Sequence, residues 1–410
     1  MRVAIIGGGV IGLASAYQLA RDGAAVTLVD ARATGRGASE VNAGWVCPAE
    51  AAPVPAPGMV GQALKWMLRP DSPLYIRPSL EPAFISFMLR MWRHCNVRDY
   101  RAGTESLLRL SQGAMDLFDG YRRDGVDFEM HAEGLLATFL SEKTMAAHRE
   151  HLDILAPFGL EPRVLRGDAV REQEPALSDE VVGGIHFPSE RHVDPAALVR
   201  GLHRRCLELG VEIVEGAAID RVETDRGRVI AAFGGARRYG ADAYLLAAGA
   251  WSGALSRMFG VALPVRPGKG YSLDLPSLGL RGPVYLSEAR VAVTPLDDGL
   301  RLAGTMEFGG LDEHVDPVRV AAIAEAPRSY FREWSTPGEL RAGAGVRPMS
   351  PDGLPIIGRL GSLRNAYIST AHAMLGVTLA PSSGVAISRL ILLGETSPAL
   401  AAFSANRFLR

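Results

Sequence analysis

The chain has 410 residues and a nearly balanced charge, with 44 Lys and Arg, 45 Asp and Glu, and a net charge of −1. This balance argues against a nucleic-acid-binding protein, which normally carries a basic excess. Hydrophobic residues make up 48% of the chain, which excludes a mainly disordered protein, and the length predicts two or three folded units. The three cysteines are too few and too widely spaced for a disulfide framework or a metal site, and they favour a reducing compartment.

The N-terminus predicts a nucleotide-binding unit in which a glycine-rich turn joins a strand to a helix. A complete arrangement of this kind is a far stronger signal than an isolated glycine motif. The parts follow in order: an apolar strand at Val3–Ile6, the glycines Gly7, Gly9 and Gly12, a helix at Leu13–Arg21, a second strand at Ala25–Val29, and the acid Asp30.

Each part of this unit has a physical role in holding a dinucleotide. Gly7 makes the sharp turn, Gly9 lets a pyrophosphate approach the backbone, and Gly12 allows close contact between helix and strand. The free N–H groups at the start of the helix attract phosphate, and Asp30 can accept hydrogen bonds from the adenosine ribose. The motif alone does not distinguish FAD from NAD.

The rest of the chain favours FAD. An NAD dehydrogenase continues with alternating strands and helices, whereas here long helical patterns fill residues 80–155. Rossmann-like segments return only later. The first comprises the cap Asp194-Pro195, a helix at Ala196–Leu209 and strands at Val211–Val214, Ala217–Glu223, Arg228–Phe233 and Ala243–Ala247; the second comprises a strand at Ala366–Thr370 and a helix reaching Leu392.

This layout resembles the flavin-dependent D-amino acid oxidase superfamily over nearly the whole chain, and most of all its bacterial D-amino acid dehydrogenases. The stretch at 65–78, KWMLRPDSPLYIRP, resembles the dehydrogenase branch in particular. The other matching motifs are the N-terminal unit with Asp30, Ser39 with Asn42-Ala43-Gly44, Asp194-Pro195, Ala248-Gly249-Ala250-Trp251, Gly270-Tyr271-Ser272, Gly304-Thr305-Met306-Glu307, Gly345-Val346-Arg347-Pro348 with Asp352, and His372, Gly376 and Thr378 with Pro381 and Gly384.

The resemblance implies a bound FAD in an extended pose, and we expect it to touch three parts of the chain. The N-terminal unit would hold the adenosine and pyrophosphate, the residues around Asn42 would meet the flavin ring, and the segment after His372 would surround its pyrimidine end. The implied contacts are Gly7, Gly9, Val10, Ile11, Gly12, Asp30, Ala31, Arg32, Ser39, Asn42, Ala43, Gly44, Ile219, Ala248, Gly249, Trp251, Arg347, His372, Met374, Leu375, Gly376, Val377 and Thr378.

One departure from the family pattern lies next to the flavin. The family usually carries glycine on both sides of the histidine, but here Ala371 and Ala373 flank His372. Each alanine adds a Cβ where the backbone approaches the ring, which puts the local hydrogen bonds in question.

The predicted substrate residues are Arg347, Lys269, Tyr271 and His372. Arg347 is the first choice because a guanidinium binds a carboxylate through two hydrogen bonds, although it could instead pair with Asp352. Lys269 is a second anion contact or a surface cation, and Tyr271 is a pocket wall, a carboxylate ligand or a core residue. No separate base is required, because an amine that binds neutral can lose a hydride from Cα directly.

The sequence thus predicts an α/β fold of α+β character, in which a Rossmann-like FAD-binding domain carries an inserted substrate domain of antiparallel sheet plus helices. The first would comprise residues 1–48, 190–265 and 340–410, and the second 49–189 and 266–339.

The predicted reaction is oxidative deamination of an amino acid, with D stereochemistry favoured, to a 2-oxo acid and ammonia. Alternatives are oxidation of N-methyl or secondary amino acids such as sarcosine, glycine, proline or hydroxyproline, an NAD-linked dehydrogenase, and a non-catalytic flavin-bearing subunit.

The electron acceptor stays open between a quinone, an electron-transfer protein and O2. A cytoplasmic location is expected, with a peripheral contact at the inner face of the cell membrane as the alternative. That alternative rests on the segment Pro82–Cys95, which mixes Phe, Met, Leu and Trp with Arg on a helical period.

Overall fold

The computed structural model describes residues 1–67, 69, 71–336 and 340–409, with the backbone alone for residue 64. Within the stretch 65–78, residues 68 and 70 lie outside the described residues. The strands are β1 (Arg2–Ile6), β2 (Ala25–Val29), β3 (Trp45–Val46), β4 (Leu74–Ile76), β5 (Met130–His131), β6 (Leu135–Phe139), β7 (Arg163–Arg166), β8 (Gly183–Phe187), β9 (Arg191–Val193), β10 (Glu212–Val214), β11 (Arg221–Asp225), β12 (Arg228–Gly234), β13 (Arg237–Tyr239), β14 (Ala243–Leu246), β15 (Arg266–Leu275), β16 (Val284–Leu286), β17 (Val291–Leu296), β18 (Gly299–Phe308), β19 (Arg341–Met349), β20 (Ile356–Arg359) and β21 (Ala366–Thr370).

The helices alternate with the strands only in part, because several lie in the long stretch between β3 and β9. They are α1 (Val10–Arg21), α2 (Met59–Trp66), α3 (Pro82–Arg93), α4 (Val97–Ser111), α5 (Ala114–Arg123), α6 (Glu142–Arg149), α7 (Asp168–Gln173), α8 (Pro195–Glu208), α9 (Ser252–Leu255), α10 (Pro317–Glu325) and α11 (Gly376–Leu393).

A six-stranded sheet in the order β10-β2-β1-β14-β21-β20 holds the N-terminal motif. All its pairs are parallel except β20 with β21. Its central strands are apolar runs buried on both faces, as expected for parallel strands covered by helices. The structure confirms the predicted strands Ala25–Val29 and Ala366–Thr370, whereas the strand expected at Ala217–Glu223 runs from Arg221 to Asp225.

Helices α1 and α11 pack against each other on one face of this sheet. A Cβ at Gly384 would lie 2.7 Å from the carbonyl oxygen of Ala14, so glycine permits the close approach of the two backbones. Helix α11 is long and apolar enough to cross a membrane by length and composition, yet 67% of that window is buried inside the protein. Its apolar character is therefore explained by its place in the core.

A nine-stranded sheet forms the second layer, with the path β19-β15-β18-β17-β16-β6-β8-β7 and β4 paired to β18. The pairs along it are antiparallel apart from β16 with β6 and β18 with β4. The expected division of the chain needs one correction. Strand β19 pairs with β15 along its whole length, so it belongs to this sheet, and the return to the first sheet comes after Met349, not at 340. Residues 337–339 lie outside the described residues.

Candidate active site

A cavity of about 1660 Å³ lies between the two sheets. Pockets for one small ligand usually measure ~300–1,000 Å³, so this volume suits a large cofactor together with a small substrate. Three parts of the chain that are distant in sequence form one side of it: the loop and helix start after β1, the residues following β2, and the segment that leads into α11. Residues of β15, β17, β18 and β19 line it from the second sheet.

In the glycine turn after β1, neighbouring backbone atoms lie too close to Gly7 and Gly12 for either position to carry a side chain. Gly7 has φ +112°, and a Cβ on it would lie 2.5 Å from the carbonyl oxygen of Ala247. A Cβ on Gly12 would lie 1.9 Å from the carbonyl oxygen of Gly7. The backbone amide of Val10, in the first turn of α1, donates to Ser39 Oγ at 3.0 Å. The start of α1 therefore faces the cavity with one of its free amides already satisfied.

Asp30 lies at the carboxyl end of β2 and lines the cavity. Its carboxylate accepts hydrogen bonds from the backbone amides of Gly8 at 2.6 Å and Arg32 at 2.7 Å. These bonds fix the carboxylate where an adenosine ribose is expected. Arg32 lies over the Trp251 ring, 4.7 Å from its centroid, and forms an ion pair with Glu313 at 2.8 Å.

The loop at 42–44 is held by the second sheet. Thr294 Oγ1 donates to the carbonyl oxygen of Ala43 at 2.8 Å, and Arg301 Nη1 donates to that of Asn42 at 3.1 Å. Asn42 Oδ1 in turn accepts from the amide of Gly44 at 2.8 Å. Side chains of β17 and β18 thus position this loop, and no local pattern in the sequence predicts this role for Thr294 or Arg301.

The segment before α11 carries a buried histidine. His372 Nε2 lies 3.0 Å from Ser383 Oγ, while Nδ1 has no hydrogen-bond partner among the described residues. Burial lowers the pKa of His372 to about 3, so its imidazole is neutral at physiological pH. Helix α11 begins at Gly376 beside it without a side-chain cap, and its first amides face the cavity. Such an uncapped start carries a partial positive charge.

Arg347 places a guanidinium in the cavity without a carboxylate partner in the part of the chain that the structure describes. Nη1 donates to the carbonyl oxygen of Thr305 at 2.8 Å, and burial lowers the pKa of Arg347 to about 10. The alternative pairing with Asp352 is wrong, because that carboxylate binds Arg407 at 2.6 Å. A buried cation that has no carboxylate partner among the described residues favours an anionic ligand.

Lys269 and Tyr271 lie on the other face of β15 and line no part of the cavity. Tyr271 therefore takes the core position that was left open for it, whereas Lys269 is buried and is neither an anion contact in the cavity nor a surface cation. Successive side chains of a strand point to opposite faces, and it is Gly270 that faces the cavity. Lys269 Nζ bonds Asp312 at 2.7 Å and lies 3.3 Å from Glu307. Tyr271 donates to Glu307 at 2.6 Å, so both side chains belong to a buried network behind the sheet.

Most of the other predicted contacts do line the cavity: Gly7, Gly9, Val10, Ile11, Asp30, Ala31, Arg32, Ser39, Asn42, Ala43, Ile219, Ala248, Gly249, Trp251, Arg347, His372, Met374, Leu375, Gly376 and Val377. Three other predicted contacts do not line the cavity but support its walls. Gly12 allows the closure of the turn, Gly44 has φ +84° at a point where a Cβ would meet the carbonyl oxygen of Val193, and Thr378 Oγ1 donates to the carbonyl oxygen of Trp45 at 3.0 Å.

Comparison with known proteins agrees with this geometry. Residues 2–390 match the FAD dependent oxidoreductase family, DAO. The chain belongs to this family. Relatives named D-amino acid dehydrogenase occur in Chromohalobacter salexigens, at 34% identity over 95% of this chain and 96% of the relative, and in Bradyrhizobium diazoefficiens, at 31% identity over 100% and 99%.

Solved structures show the same fold. Glycine oxidase from Geobacillus kaustophilus has a TM-score of 0.78 at 22% identity, covering 99% of both chains. L-proline dehydrogenase from P. horikoshii has a TM-score of 0.76 at 17% identity, covering 100% of this chain and 98% of the other. The expected mixed α/β fold, with a parallel and an antiparallel sheet, is therefore confirmed.

FAD is the cofactor of this family, and the residues present suit it. The turn after β1 excludes side chains, Asp30 is fixed at the end of β2, and the uncapped start of α11 faces the cavity beside the unpartnered Nδ1 of His372. The first two features suit a ribose and pyrophosphate, and the third suits the electron-rich pyrimidine end of a flavin.

The alanines around His372 are held in a left-handed backbone conformation, with φ 60° at Ala371 and 50° at Ala373. This conformation costs a residue with a Cβ roughly 1–2 kcal/mol. Glycine adopts this conformation without that cost, so alanine at both positions leaves the backbone of this loop strained.

We predict that Ala373→Gly stabilises the protein by up to about 1 kcal/mol, because relief of this strain exceeds the entropic cost of ~0.5–1 kcal/mol that glycine adds. Ala386→Gly, in the middle of α11, is the matched control and should destabilise by about 1 kcal/mol. Thermal unfolding of the two FAD-saturated variants checks this. A decrease of equal size in both would show that Ala373 carries no strain.

Proposed function

We propose that this enzyme oxidises a D-amino acid to the corresponding 2-oxo acid and ammonia, with Arg347 holding the substrate carboxylate. The observation that carries the proposal is the guanidinium of Arg347 in the cavity, bonded to the carbonyl oxygen of Thr305 and without a carboxylate partner among the described residues. The D stereochemistry comes from the names of the relatives at 31–34% identity.

Arg347 can orient a substrate as well as bind it. One hydrogen bond to Thr305 fixes the plane of the guanidinium, and its remaining N–H groups can bind both oxygens of a carboxylate. Two parallel hydrogen bonds restrict the rotation of the substrate, which aligns the Cα–H bond for transfer. Bound FAD supplies the two-electron acceptor that receives the hydride from Cα.

The chain needs no strong base for this step. A substrate amine that binds in its neutral form gives a protonated imine when the hydride leaves Cα, and water then hydrolyses this cation to the oxo acid and ammonium. The neutral imidazole of His372 adds no positive charge that would oppose this imine. Its place beside the start of α11 suits a role in holding the cofactor ring.

Anaerobic reduction of the bound flavin tests the proposed reaction. We predict that D-alanine bleaches the flavin absorbance of the purified enzyme, while L-alanine at the same concentration leaves it unchanged. Sarcosine and L-proline test the rival secondary-amine oxidases. Bleaching by these two and not by D-alanine would reject the proposal in favour of that class, and no bleaching by any amine would favour a non-catalytic subunit.

We also propose that α3 rests on a membrane surface, which adds a peripheral membrane contact to a cytoplasmic enzyme. Ile85, Leu89 and Trp92 form one stripe of the helix and are 43%, 52% and 60% exposed. Arg90 and Arg93 are also exposed on α3 and would meet acidic headgroups. Trp92 lines the cavity together with Met67 and Lys65, so docking would bring the opening to the membrane, where a quinone could accept electrons.

Sedimentation with lipid vesicles tests this contact. We predict that wild type binds vesicles containing anionic phospholipid, and that the triple variant Ile85→Ser, Leu89→Ser, Trp92→Ser loses at least about tenfold in partitioning, because each buried side chain contributes ~1.5–3 kcal/mol. The triple variant Leu207→Ser, Val318→Ser, Leu393→Ser removes exposed apolar residues elsewhere and should bind as wild type does. Equal partitioning of all three proteins would exclude α3 as the membrane contact.

A further inference from the structure

A second arginine faces the same cavity as Arg347, across a floor of small residues. Arg290 directly precedes β17 and lines the cavity. Strand β17 pairs Ala292 with Ala303 of β18, so Arg290 enters the sheet at the level of Thr305, the residue whose carbonyl oxygen Arg347 bonds. Strands β19 and β17 are separated by β15 and β18, so they lie about 14 Å apart at ~4.8 Å per strand. Arg347 spans part of this distance, because its side chain crosses Gly270 of β15 and reaches Thr305 of β18.

The floor between the two arginines is open because its residues carry little or no side chain. Gly270, Ala303 and Ala292 all line the cavity, one from each of β15, β18 and β17. A Cβ at Gly270 would lie 2.0 Å from Arg347 Nη1, so glycine is needed for the guanidinium to lie there. We call this floor of small residues the trough; β19, which carries Arg347, lies at one edge, and Arg290 precedes β17 at the other.

Arg290 has no ion-pair partner among the side chains that the structure describes. Its side chain is exposed to the cavity. The nearby phenol of Tyr285 and, more weakly, the carboxylate of Glu50 raise the pKa of Arg290 against the opposing effect of burial. Glu50 is itself bound to His148 at 3.2 Å. Glu50 raises the pKa of His148 against the opposing effect of burial.

Both ends of the trough are built on unusual backbone. Arg290 has φ 56° and Thr305 has φ 63°, a left-handed conformation that is uncommon for arginine and strained for a β-branched residue. Strain of this kind persists where the surrounding structure enforces it, most often at binding and catalytic sites. The left-handed conformation of Thr305 orients its carbonyl oxygen, which accepts the hydrogen bond from Arg347.

We infer that the site is built for an amino acid with an acidic side chain, its α-carboxylate on Arg347 and its second carboxylate on Arg290. This inference rests on the proposed function and narrows it to a substrate class. A substrate with an uncharged side chain would leave the guanidinium of Arg290 without an anion, whereas a carboxylate forms charge-assisted hydrogen bonds with it.

Pairs of substrates with nearly the same shape isolate the charge of the side chain. For wild type we expect kcat/KM for D-glutamate to exceed that for D-glutamine, and D-aspartate to exceed D-asparagine, by about tenfold or more, which corresponds to ~1.4 kcal/mol. In Arg290→Gln each ratio should fall to about one. Arg290→Lys keeps the charge and should keep part of the preference.

Arg149→Gln is the matched control, since it removes an exposed charge from α6 without touching the cavity, and its ratios should equal those of wild type. Equal kcat/KM values for the acid and its amide in wild type would overturn the inference. A folded Arg290→Gln that still prefers the acids as strongly as wild type would also overturn it. The wild-type comparison decides the question even if that variant does not fold.

Binding to the oxidised enzyme separates this inference from the proposed reaction. Glutarate, with two carboxylates, should perturb the flavin spectrum of wild type at a concentration about tenfold or more below that of butyrate, which has one. This holds whether or not any D-amino acid is turned over, so failure to oxidise both D-alanine and D-glutamate rejects the reaction alone. Equal affinity for glutarate and butyrate rejects the second anion site.

Discussion

The site depends on one cation that the fold leaves without a carboxylate partner in the described chain. Arg347 comes from β19, crosses Gly270 of β15 and bonds the carbonyl oxygen of Thr305 on β18. Burial removes part of the hydration of the Arg347 guanidinium and lowers its pKa to about 10. Among the described residues its acceptors are the carbonyl oxygen of Thr305 and, at 4.0 Å, the sulfur of Met306. A ligand carboxylate restores the missing interactions, so the energy of burial becomes affinity for an acid. Three adjacent strands and one glycine are needed to arrange this.

The two sheets supply different parts of the site. The parallel sheet ends in a glycine turn, an acid and a helix start, which together suit a dinucleotide. The antiparallel sheet provides the arginines and also holds the loop at 42–44 through Thr294 and Arg301. Cofactor and substrate surfaces are therefore coupled by direct hydrogen bonds, and a change in β17 or β18 can reach both.

Local patterns in the sequence were sufficient for the N-terminal unit, because strand, turn and helix there are set by neighbouring residues and by glycine. They were not sufficient for Lys269 and Tyr271, since only the pairing of β15 with its neighbours decides which face meets the cavity. The same reason hid Arg290, Thr294 and Arg301, whose roles depend on contacts across the chain. The predicted boundary at residue 340 was also wrong, because β19 is continuous in sequence with the C-terminal segment, and only its pairing with β15 assigns it to the second sheet.

Carboxylate binding by Arg347→Met tests the central claim most directly. Methionine keeps an apolar stem but removes the charge, and loss of one member of a buried ion pair costs ~2–5 kcal/mol. Titration of the FAD-loaded proteins with benzoate, followed by the flavin spectrum, should show an affinity about 30-fold or more weaker in the variant, with an unchanged spectrum of the free protein. Equal benzoate affinity in wild type and variant would contradict the account and place the carboxylate elsewhere.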